Sequence, residues 1–354
     1  MSHPIRWTSP WHLEVLDQTR LPFAVAWVPL ASSAACRTAI VAMQVRGAPL
    51  IGAVGAFGLA FALREAATDA ALAEAVAVMG SARPTAVNLR WAVTRVAEAV
   101  RVLPMAERAD AAWAEAVRIA EEDAAGNAAI GAHGAARLRP LLRADRPLQL
   151  LTHCNAGWLA TAGHGTALAP IYALHAAGVP VNVWVDETRP RNQGAALTAW
   201  ELAEAGVPHT VIADNAGGVL MMRGAVDAIL VGADRVAANG DVANKVGTYL
   251  KALAARAHGV PCYVACPVST LDPATSSGAE IVIEEREAGE VTHVTGRLPD
   301  GAIGTVCVVP DGTHAANPAF DVTPAALVTA LITECGVVDA TPAGVRAALA
   351  ARPR

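Results

Sequence analysis

The sequence has few aromatic residues and no long unbroken apolar segment. Phe, Trp and Tyr make up 4% of its 354 residues, whereas 54% are hydrophobic, much of this alanine, which suits close helix packing in a globular protein. The longest apolar candidate, 47–63, is shorter than the roughly 18 residues of a membrane span and contains four glycines, three of them at three-residue spacing. It predicts a buried helix and no membrane association. Residues 1–15 lack the apolar core of a signal peptide, which predicts a cytoplasmic protein.

The sequence also lacks a basic block and a paired cysteine motif. Its net charge is −5 at pH 7, whereas a nucleic-acid interface usually shows a basic domain or stripe, so no nucleic-acid partner is expected. Six cysteines scattered through so long a chain predict free thiols. Cys262 and Cys266 lie in the strand-like PCYVAC, where four residues span roughly 13 Å, beyond disulfide reach.

Cofactor motifs are missing as well. No paired CxxC and no HExxH occurs, so no metal site is predicted. The glycines at 163 and 165 form only half of a dinucleotide fingerprint, which argues against a nicotinamide or flavin cofactor.

Hydrophobic periodicity divides the chain near 143–147. Apolar residues recur at spacings of three and four from about residue 29 to 143, which predicts helices. From residue 148 short apolar runs alternate with helix-like segments, the pattern of βαβ units and a mostly parallel sheet. We therefore predict an α/β protein with two domains: a mainly helical N-terminal domain, 1–145, and a Rossmann-like α/β catalytic domain, 146–354.

The predicted strands indicate where a ligand would bind. They are LQLLTH, VNVWVDE, HTVIAD, AILVGAD, PCYVAC and TVCVVP. In open α/β sheets, ligands bind outside the carboxyl ends of the strands. The site should therefore face the loops at His153, Asp186, Asp214 and Asp234.

Cys154 follows the first predicted strand of the sheet, in THCNAGWLATAGHGTA, before a helix predicted to start near Gly165. A thiol near the amides of a helix N-terminus is a candidate base or nucleophile. The alternative is a small buried hydrophobic residue. Adjacent residues on a strand point to opposite faces, so His153 is interpreted as a core or supporting histidine rather than a partner of the thiol.

Asp234 ends an apolar run in AILVGADRVAANGDVANK. Apolar surroundings can keep a carboxyl group protonated near neutral pH, which suits a general acid. The alternative is a structural aspartate that pairs with Arg235 or caps the next turn. Asn244 and Lys245 are predicted to begin a helix, where the lysine and the helix amides would meet an anionic ligand.

Three further segments carry polar residues. Arg46 stands directly before Gly47, Ala48 and a predicted helix start, which suits phosphate binding, although a surface arginine gives the same pattern. Arg90 lies in the predicted helix NLRWA, and Gln193 in the predicted loop RPRNQG. Physical reasoning alone selects neither of these two.

The motifs arrive in an order that resembles one family. They are VRGAPLIGAVGAFGLA, PTAVNLRWA, THCNAGWLATAGHGTALAPI, DETRPRNQGAALTAWEL, DNAGGVLMMRG, VGADRVAANGDVANKVGTY, ATSSGAEIVIEER and NPAFDVTP. Over residues 40–335 the chain resembles the methylthioribose-1-phosphate isomerases, within a family that includes regulatory subunits of a eukaryotic translation-initiation exchange factor. The resemblance implies a homodimeric isomerase of a sugar phosphate that acts in methionine salvage without metal or organic cofactor.

The resemblance also implies roles for single residues. Asp234 matches the family's proton donor, and Cys154 matches a cysteine that stabilises the transition state or moves a proton. The matched substrate-binding positions are Arg46, Gly47, Ala48, Arg90, Gln193, Asn244 and Lys245. Trp158 departs from the family pattern, where a smaller residue is expected, and predicts an altered pocket wall.

Two alternatives remain open at this point. One is a related isomerase that acts on 5-deoxyribose 1-phosphate or ribose 1,5-bisphosphate. The other is a non-catalytic regulatory subunit that binds a sugar phosphate or a nucleotide. The presence of both Cys154 and Asp234 favours an enzyme, because a purely regulatory protein does not need that pair.

Overall fold

The computed structural model describes residues 3–83 and 87–352. Within these ranges the N-terminal part is mainly helical, and a larger, mostly parallel sheet follows. The predicted α/β fold class is confirmed. Residues 84–86 of the PTAVNLRWA motif lie outside the described ranges.

The N-terminal part opens with an antiparallel three-stranded sheet that the sequence analysis did not predict. Its strands are β1 (Ile5–Ser9), β2 (His12–Leu16) and β3 (Trp27–Leu30). The helices that follow are α1 (Ser33–Val41), α2 (Ala48–Glu65), α3 (Asp69–Gly80), α4 (Val87–Arg101) and α5 (Met105–Leu138).

Helix α2 is the buried helix that the glycine-rich apolar stretch predicts. By length and composition it could cross a membrane, but 78% of it is buried inside the protein. Gly52 lies against the backbone of Asn88, and Gly55 lies against the Leu89 side chain, so the missing side chains let α4 approach closely. The apolar character of α2 therefore serves the core of the N-terminal part.

The remaining elements form the C-terminal part. Its strands are β4 (Leu148–Thr152), β5 (Val181–Asp186), β6 (His209–Ile212), β7 (Ala228–Val231), β8 (Arg235–Ala237), β9 (Val242–Lys245), β10 (Cys262–Ala265), β11 (Leu271–Asp272), β12 (His293–Arg297), β13 (Ile303–Cys307), β14 (Phe320–Thr323), β15 (Ala330–Thr333) and β16 (Gly336–Val338). Its helices are α6 (Ala169–Ala176), α7 (Ala199–Glu204), α8 (Ala216–Met222), α9 (Thr248–His258), α10 (Gly289–Thr292) and α11 (Pro342–Ala350).

The main sheet has the strand order β16-β15-β10-β7-β4-β5-β6. All its pairings are parallel except β15 with β16. From β4 the chain builds the sheet in one direction through β5 and β6, and from β7 it builds in the other. The topological switch point therefore lies between β4 and β7, and apolar side chains are buried on both faces of the sheet.

Three local predictions were wrong. The segment TVCVVP forms β13 in an exposed hairpin with β12, whereas the main-sheet position beside β10 is taken by β15. Asn244 and Lys245 end β9, which pairs with β14, and α9 begins only at Thr248. The helix predicted to start near Gly165 is α6, which starts only at Ala169. For Asn244 and Lys245 the cause is tertiary: pairing with the distant strand β14 decided the local structure.

Helix α5 connects the two parts of the chain. It packs on α2 at one side and on α6 and β15 at the other. Gly131 lies against Ala169 and Gly134 lies against Pro170, which brings α5 close to α6. The division into domains 1–145 and 146–354 stays a prediction.

Candidate active site

The loops that follow β4 and β7 meet at the switch point of the main sheet. Cys154 lies in the first loop and Asp234 in the second. Both residues line one cavity, at the place where open α/β sheets bind their ligands. The position of the site therefore follows from the order of the strands.

The cavity collects most of the residues that the sequence analysis selected. These are Arg46, Gly47, Ala48, Cys154, Gln193, Asp234, Asn244 and Lys245. Arg90 is exposed on α4 and is not among the described residues that line the cavity. Arg83, His153 and Asn155 also line it, and the sequence analysis gave none of them a binding role. The catalytic and binding roles stay predictions.

One side of the cavity is the Cys154 wall, formed by Arg46, Cys154, Asn155 and Gln193. The Cys154 side chain is buried, and its Sγ lies 3.3 Å from Gln193 Oε1, to which it donates. The Cys154 backbone has a φ of +65°, in the left-handed region that non-glycine residues rarely adopt. Such strained positions cluster at active sites.

A π-helical turn, Gly194–Thr198, fixes the backbone beneath Cys154. Thr198 Oγ1 donates to the Cys154 carbonyl at 2.7 Å, and Thr188 Oγ1 accepts from the Cys154 N–H at 2.8 Å. Gln193 directly precedes the π-helical turn and lines the cavity. Turns of this rare type occur often at functional sites.

Arg46 is held by Asn155. Its Nη2 donates to the Asn155 carbonyl at 2.6 Å, and its Nη1 donates to Asn155 Oδ1. Gly47, which follows, has a φ of +90°, and α2 begins at Ala48 as predicted. The guanidinium thus lies at the N-terminal end of a helix, beside Cys154.

Glu201 supports this wall from behind. It accepts from Asn155 Nδ2 at 2.8 Å, from the N–H groups of Trp158 and Leu159 at 2.9 Å each, and from Tyr172 Oη at 2.9 Å. Burial raises the pKa of Glu201 to about 7, although these hydrogen bonds favour the carboxylate. The sequence analysis missed Glu201, even though it stands in the motif DETRPRNQGAALTAWEL.

A second group of lining residues, the Asp234 wall, is formed by Arg83, Asp234, Asn244 and Lys245. Burial raises the pKa of Asp234, and the charge of Glu284 adds to the rise, whereas Lys245, Arg46 and Arg83 oppose it. The Asp234 N–H donates to the Ala243 carbonyl at 2.9 Å. A carboxyl group with a raised pKa is suited to proton donation.

Lys245 interacts electrostatically with residues of both walls. Burial lowers its pKa, while the charges of Cys154 and Asp234 oppose the fall. Its Nζ donates to the Ala319 carbonyl at 2.7 Å and lies 4.7 Å from the centre of the Phe320 ring. Thiol, ammonium and carboxyl group therefore interact within one cavity.

His153 does not form a dyad with Cys154. Its Nδ1 lies 2.9 Å from Asp186 Oδ2 and its Nε2 lies 2.8 Å from the Val246 carbonyl oxygen, so the ring ties β4 to the segment after β9. His153, Asp186 and Asp214 have ligand atoms within 4.8 Å of one another. The Lys251 ammonium lies 3.2 Å from Asp186 Oδ2 and already forms an ion pair with this carboxylate, which makes the group a poor cation site. The predicted absence of a metal stays a prediction.

Trp158 does not line the cavity within the described residues. Its ring is buried in the core on one face of the main sheet, 5.7 Å from the ring of Trp200. The expectation that Trp158 alters the pocket wall is therefore not supported.

The fold and the cavity define an α/β protein with a polar ligand site at the switch point of a Rossmann-like sheet. The chain belongs to the Initiation factor 2 subunit family, whose sequence model matches residues 44–340. A curated relative is named Methylthioribose-1-phosphate isomerase, from Dechloromonas aromatica (strain RCB). It is 60% identical over 336 residues, which cover 95% of this chain and 92% of the relative.

Two solved structures have the same fold. One is 5-methylthioribose 1-phosphate isomerase from Pyrococcus horikoshii OT3, with a TM-score of 0.83 and 36% identity, covering 99% of this chain and 97% of that one. The other is described as translation initiation factor eIF-2B, subunit delta, from A. fulgidus, with a TM-score of 0.79 and 37% identity, covering 99% and 100%. Overall fold therefore does not separate the two kinds of protein.

Proposed function

We propose that the protein is an aldose-ketose isomerase that converts 5-methylthioribose 1-phosphate into 5-methylthioribulose 1-phosphate in methionine salvage. The observation that carries the proposal is the meeting of Cys154, Lys245 and Asp234 in one cavity at the switch point. The name of the relative that is 60% identical over nearly the whole chain supports the same reaction.

The substrate's chemistry explains the need for an acid. C1 carries the phosphate ester on its anomeric oxygen, so ring opening gives no free aldehyde, and the bond between C1 and the ring oxygen breaks only when that oxygen is protonated. Asp234 in its protonated form donates a proton to the ring oxygen, and the bond between that oxygen and C1 breaks. The O2 hydroxyl proton is lost as C2 becomes a carbonyl, and it returns to Asp234. The raised pKa of Asp234 supports this role.

The hydrogen on C2 must move to C1 as that carbonyl forms, and two routes fit the cavity. In one, the Cys154 thiolate removes it as a proton, and an enediolate-like intermediate is reprotonated at C1. In the other, it moves as a hydride within a site closed to water, and Cys154 shapes the electric field. The interaction of the Lys245 ammonium with Cys154 is compatible with both routes.

The substrate-binding roles form the second part of the proposal. Arg46, Gly47 and Ala48 offer a guanidinium and helix N-terminal amides to the phosphate group, as anion sites at helix starts do. Gln193, Asn244 and Lys245 offer polar groups from the other loops. Arg90 keeps its role from the family resemblance alone, since it is exposed on α4.

The test supplies purified protein with 5-methylthioribose 1-phosphate, 5-deoxyribose 1-phosphate and ribose 1,5-bisphosphate and compares kcat/KM. We expect ketose from the methylthio sugar with the highest kcat/KM. A higher value for either other sugar would reassign the substrate. No turnover of any of the three would leave the regulatory alternative, which the likeness to the A. fulgidus protein keeps in view.

The same assay in deuterated water separates the two routes. Proton transfer through Cys154 predicts solvent deuterium at C1 of the ketose, whereas a hydride shift predicts none. A cavity that shields the thiol proton from exchange with solvent lowers the incorporation of deuterium. Deuterium at C1 is therefore measured at several extents of substrate conversion.

Homodimer formation and a cytoplasmic location complete the proposal. Neighbouring helices α8 and α9 expose the apolar side chains Met222 and Leu250, at 63% and 59% exposure, which supports a contact between two copies. Six free cysteines, all in the described part of the chain, support a reducing compartment. Sedimentation and cell fractionation measure the two properties.

A further inference from the structure

Two threonine hydroxyls hold the backbone of Cys154, one on each side of its Cα atom. The N–H of Cys154 donates to Thr188 Oγ1 at 2.8 Å, and the carbonyl of Cys154 accepts from Thr198 Oγ1 at 2.7 Å. Both threonines are buried. Thr198 belongs to the π-helical turn, whereas Thr188 comes from the loop that follows β5. Two separate segments therefore fix the backbone that carries the thiol.

This double hold accounts for the left-handed φ of Cys154. The angles φ and ψ set the relative orientation of the peptide planes before and after the Cα atom. The Cys154 N–H belongs to the first plane and the Cys154 carbonyl to the second, so Thr188 and Thr198 fix one plane each. A φ of +65° persists at a cysteine only if its surroundings enforce it. The direction of the Cα–Cβ bond, and with it the position of Sγ, follows from these two planes.

Thr188 is itself fixed by its neighbours. Its φ is +64°, which is rare for a β-branched residue. The carboxylate of Asp214, two residues after β6, accepts from the N–H groups of Thr188 and Arg189 at 2.7 Å each. The Thr188 hydroxyl donates to the Asp186 carbonyl at 3.0 Å, so its proton points away from Cys154 and its oxygen is left to accept from the Cys154 N–H.

We propose that Thr188, held by Asp214, is a positioning residue for the Cys154 thiol. Thr188 is not among the described residues that line the cavity, so it acts through the Cys154 backbone and not on the substrate. The position that it maintains is the one in which Sγ lies 3.3 Å from Gln193 Oε1. The expected effect on turnover rests on the proposed function, whereas the expected effect on the geometry of Cys154 does not.

The experiment compares Thr188→Val and Thr188→Ser with the native protein. Valine keeps the shape and the branching of threonine but has no hydroxyl, whereas serine keeps the hydroxyl. Thr152→Val is the matched control, because Thr152 in β4 and Thr188 are both 1% exposed. The Thr152 hydroxyl donates to the Leu230 carbonyl at 2.8 Å, so this variant loses a buried threonine hydrogen bond that does not involve Cys154.

The kinetic constants are measured with 5-methylthioribose 1-phosphate. In Thr188→Val we expect kcat to fall about 10- to 100-fold while KM stays within about threefold, because a misplaced reactive group slows the chemical step more than it weakens binding. Thr188→Ser and Thr152→Val should keep kcat within about threefold of the native value. The proposal is wrong if Thr188→Val has native kcat, if its defect lies in KM alone, if serine does not restore kcat, or if Thr152→Val is equally slow.

Crystal structures of the native protein and Thr188→Val test the geometry without any assay of activity. In the variant we expect the φ of Cys154 to leave the left-handed region and the distance from Sγ to Gln193 Oε1 to exceed about 4 Å. Unchanged geometry at Cys154 would overturn the proposal. Native protein that turns over no aldose phosphate defeats the isomerase, while these structures still test the role of Thr188.

Asp214→Asn replaces Thr188→Val if that variant does not fold, as judged by circular dichroism. The asparagine side chain has one acceptor oxygen for the two N–H groups of Thr188 and Arg189, and its amide nitrogen can only donate. We expect the same displacement of the Cys154 thiol and a fall in kcat of at least about threefold. Native geometry and native kcat in Asp214→Asn would count against the proposal.

Discussion

The Cys154 wall and the Asp234 wall of the cavity differ in how the protein fixes their polar groups. On the Cys154 wall, Arg46 is bound to Asn155, and Asn155 is bound to Glu201. On the Asp234 wall, Arg83 shares one distant carboxylate, and burial raises the pKa of Asp234. Hydrogen bonds therefore fix the polar groups of the Cys154 wall, whereas the Asp234 wall contains a weakly paired cation and a carboxyl group with a raised pKa.

This difference has an energetic reason. A buried polar group costs little when it is fully hydrogen-bonded, whereas a buried, incompletely paired charge costs several kcal/mol. Changes on the Asp234 wall should therefore affect the chemical step most directly, and changes behind the Cys154 wall should affect stability and the position of Arg46.

The largest effect is expected from Asp234→Asn. The amide cannot supply the proton for ring opening, so kcat should fall by about 10²- to 10⁴-fold, the range for loss of a general acid. Asn155→Ala, on the other wall, is the comparison variant and should mainly raise KM. Ketose formation is measured for both. Turnover of Asp234→Asn at the native rate would remove the assignment of Asp234 as the acid.

A smaller effect is expected from Glu201→Gln. Each carboxylate oxygen accepts two hydrogen bonds, and an amide nitrogen would face two donors. We expect a loss of about 1–3 kcal/mol in unfolding free energy and a higher KM with a smaller change in kcat, because Arg46 loses its support. Tyr172→Phe removes one donor only and should cost less. Equal losses in denaturant titration would contradict the shared role of the four bonds.

A substitution at Gly157 tests steric overlap with Glu201 without changing any polar group. A Cβ at this position would overlap the Glu201 carboxylate, whereas a Cβ at Gly218 in α8 would meet no atom within 4 Å. Gly157→Ala should destabilise the protein by about 1–3 kcal/mol through this overlap. Gly218→Ala should be neutral or stabilise it by up to about 1 kcal/mol, since alanine favours the helix. Thermal unfolding that ranks the two variants the other way would show that Glu201 can move.

The pH dependence of activity should give the smallest and most specific signal. A proton donor works below its pKa, so the rate should fall as the pH rises through the raised pKa of Asp234. The charges acting on Asp234 are Lys245, Arg46, Arg83 and Glu284. Arg83→Met removes a cation, raises that pKa and should move the alkaline limb to higher pH, whereas Glu284→Gln should move it to lower pH. Shifts in the same direction would disprove this electrostatic account.

The sequence predicted the site better than the elements around it. The strands that end at Thr152 and Val231 were recognisable as apolar runs followed by polar residues, and Cys154 and Asp234 follow them. Asn244 and Lys245 were placed at the cavity by motif, yet in the wrong element. Their segment has no strong intrinsic preference for a strand, and its pairing with β14, about seventy residues later, decided the structure.

Two supporting residues show why the rest could not be predicted. Glu201 stands in an ordinary helical context, and only the folded chain reveals that it accepts hydrogen bonds from a loop some forty residues earlier. Arg83 and Arg90 are both arginines in one short segment, and the sequence alone does not distinguish their environments. One lines the cavity and the other is exposed, because the ends of α3 and α4 set where each side chain lies.

By itself, the sequence determined the fold class, the order of the first five main-sheet strands along the chain and the places of Cys154 and Asp234 at the switch point. These properties follow from local periodicity and from the rule that parallel strands present their carboxyl ends to one edge. The tertiary structure alone decided which polar side chains line the cavity and which support it from behind. Hydrogen bonds between distant segments settle that question, and no local pattern records them.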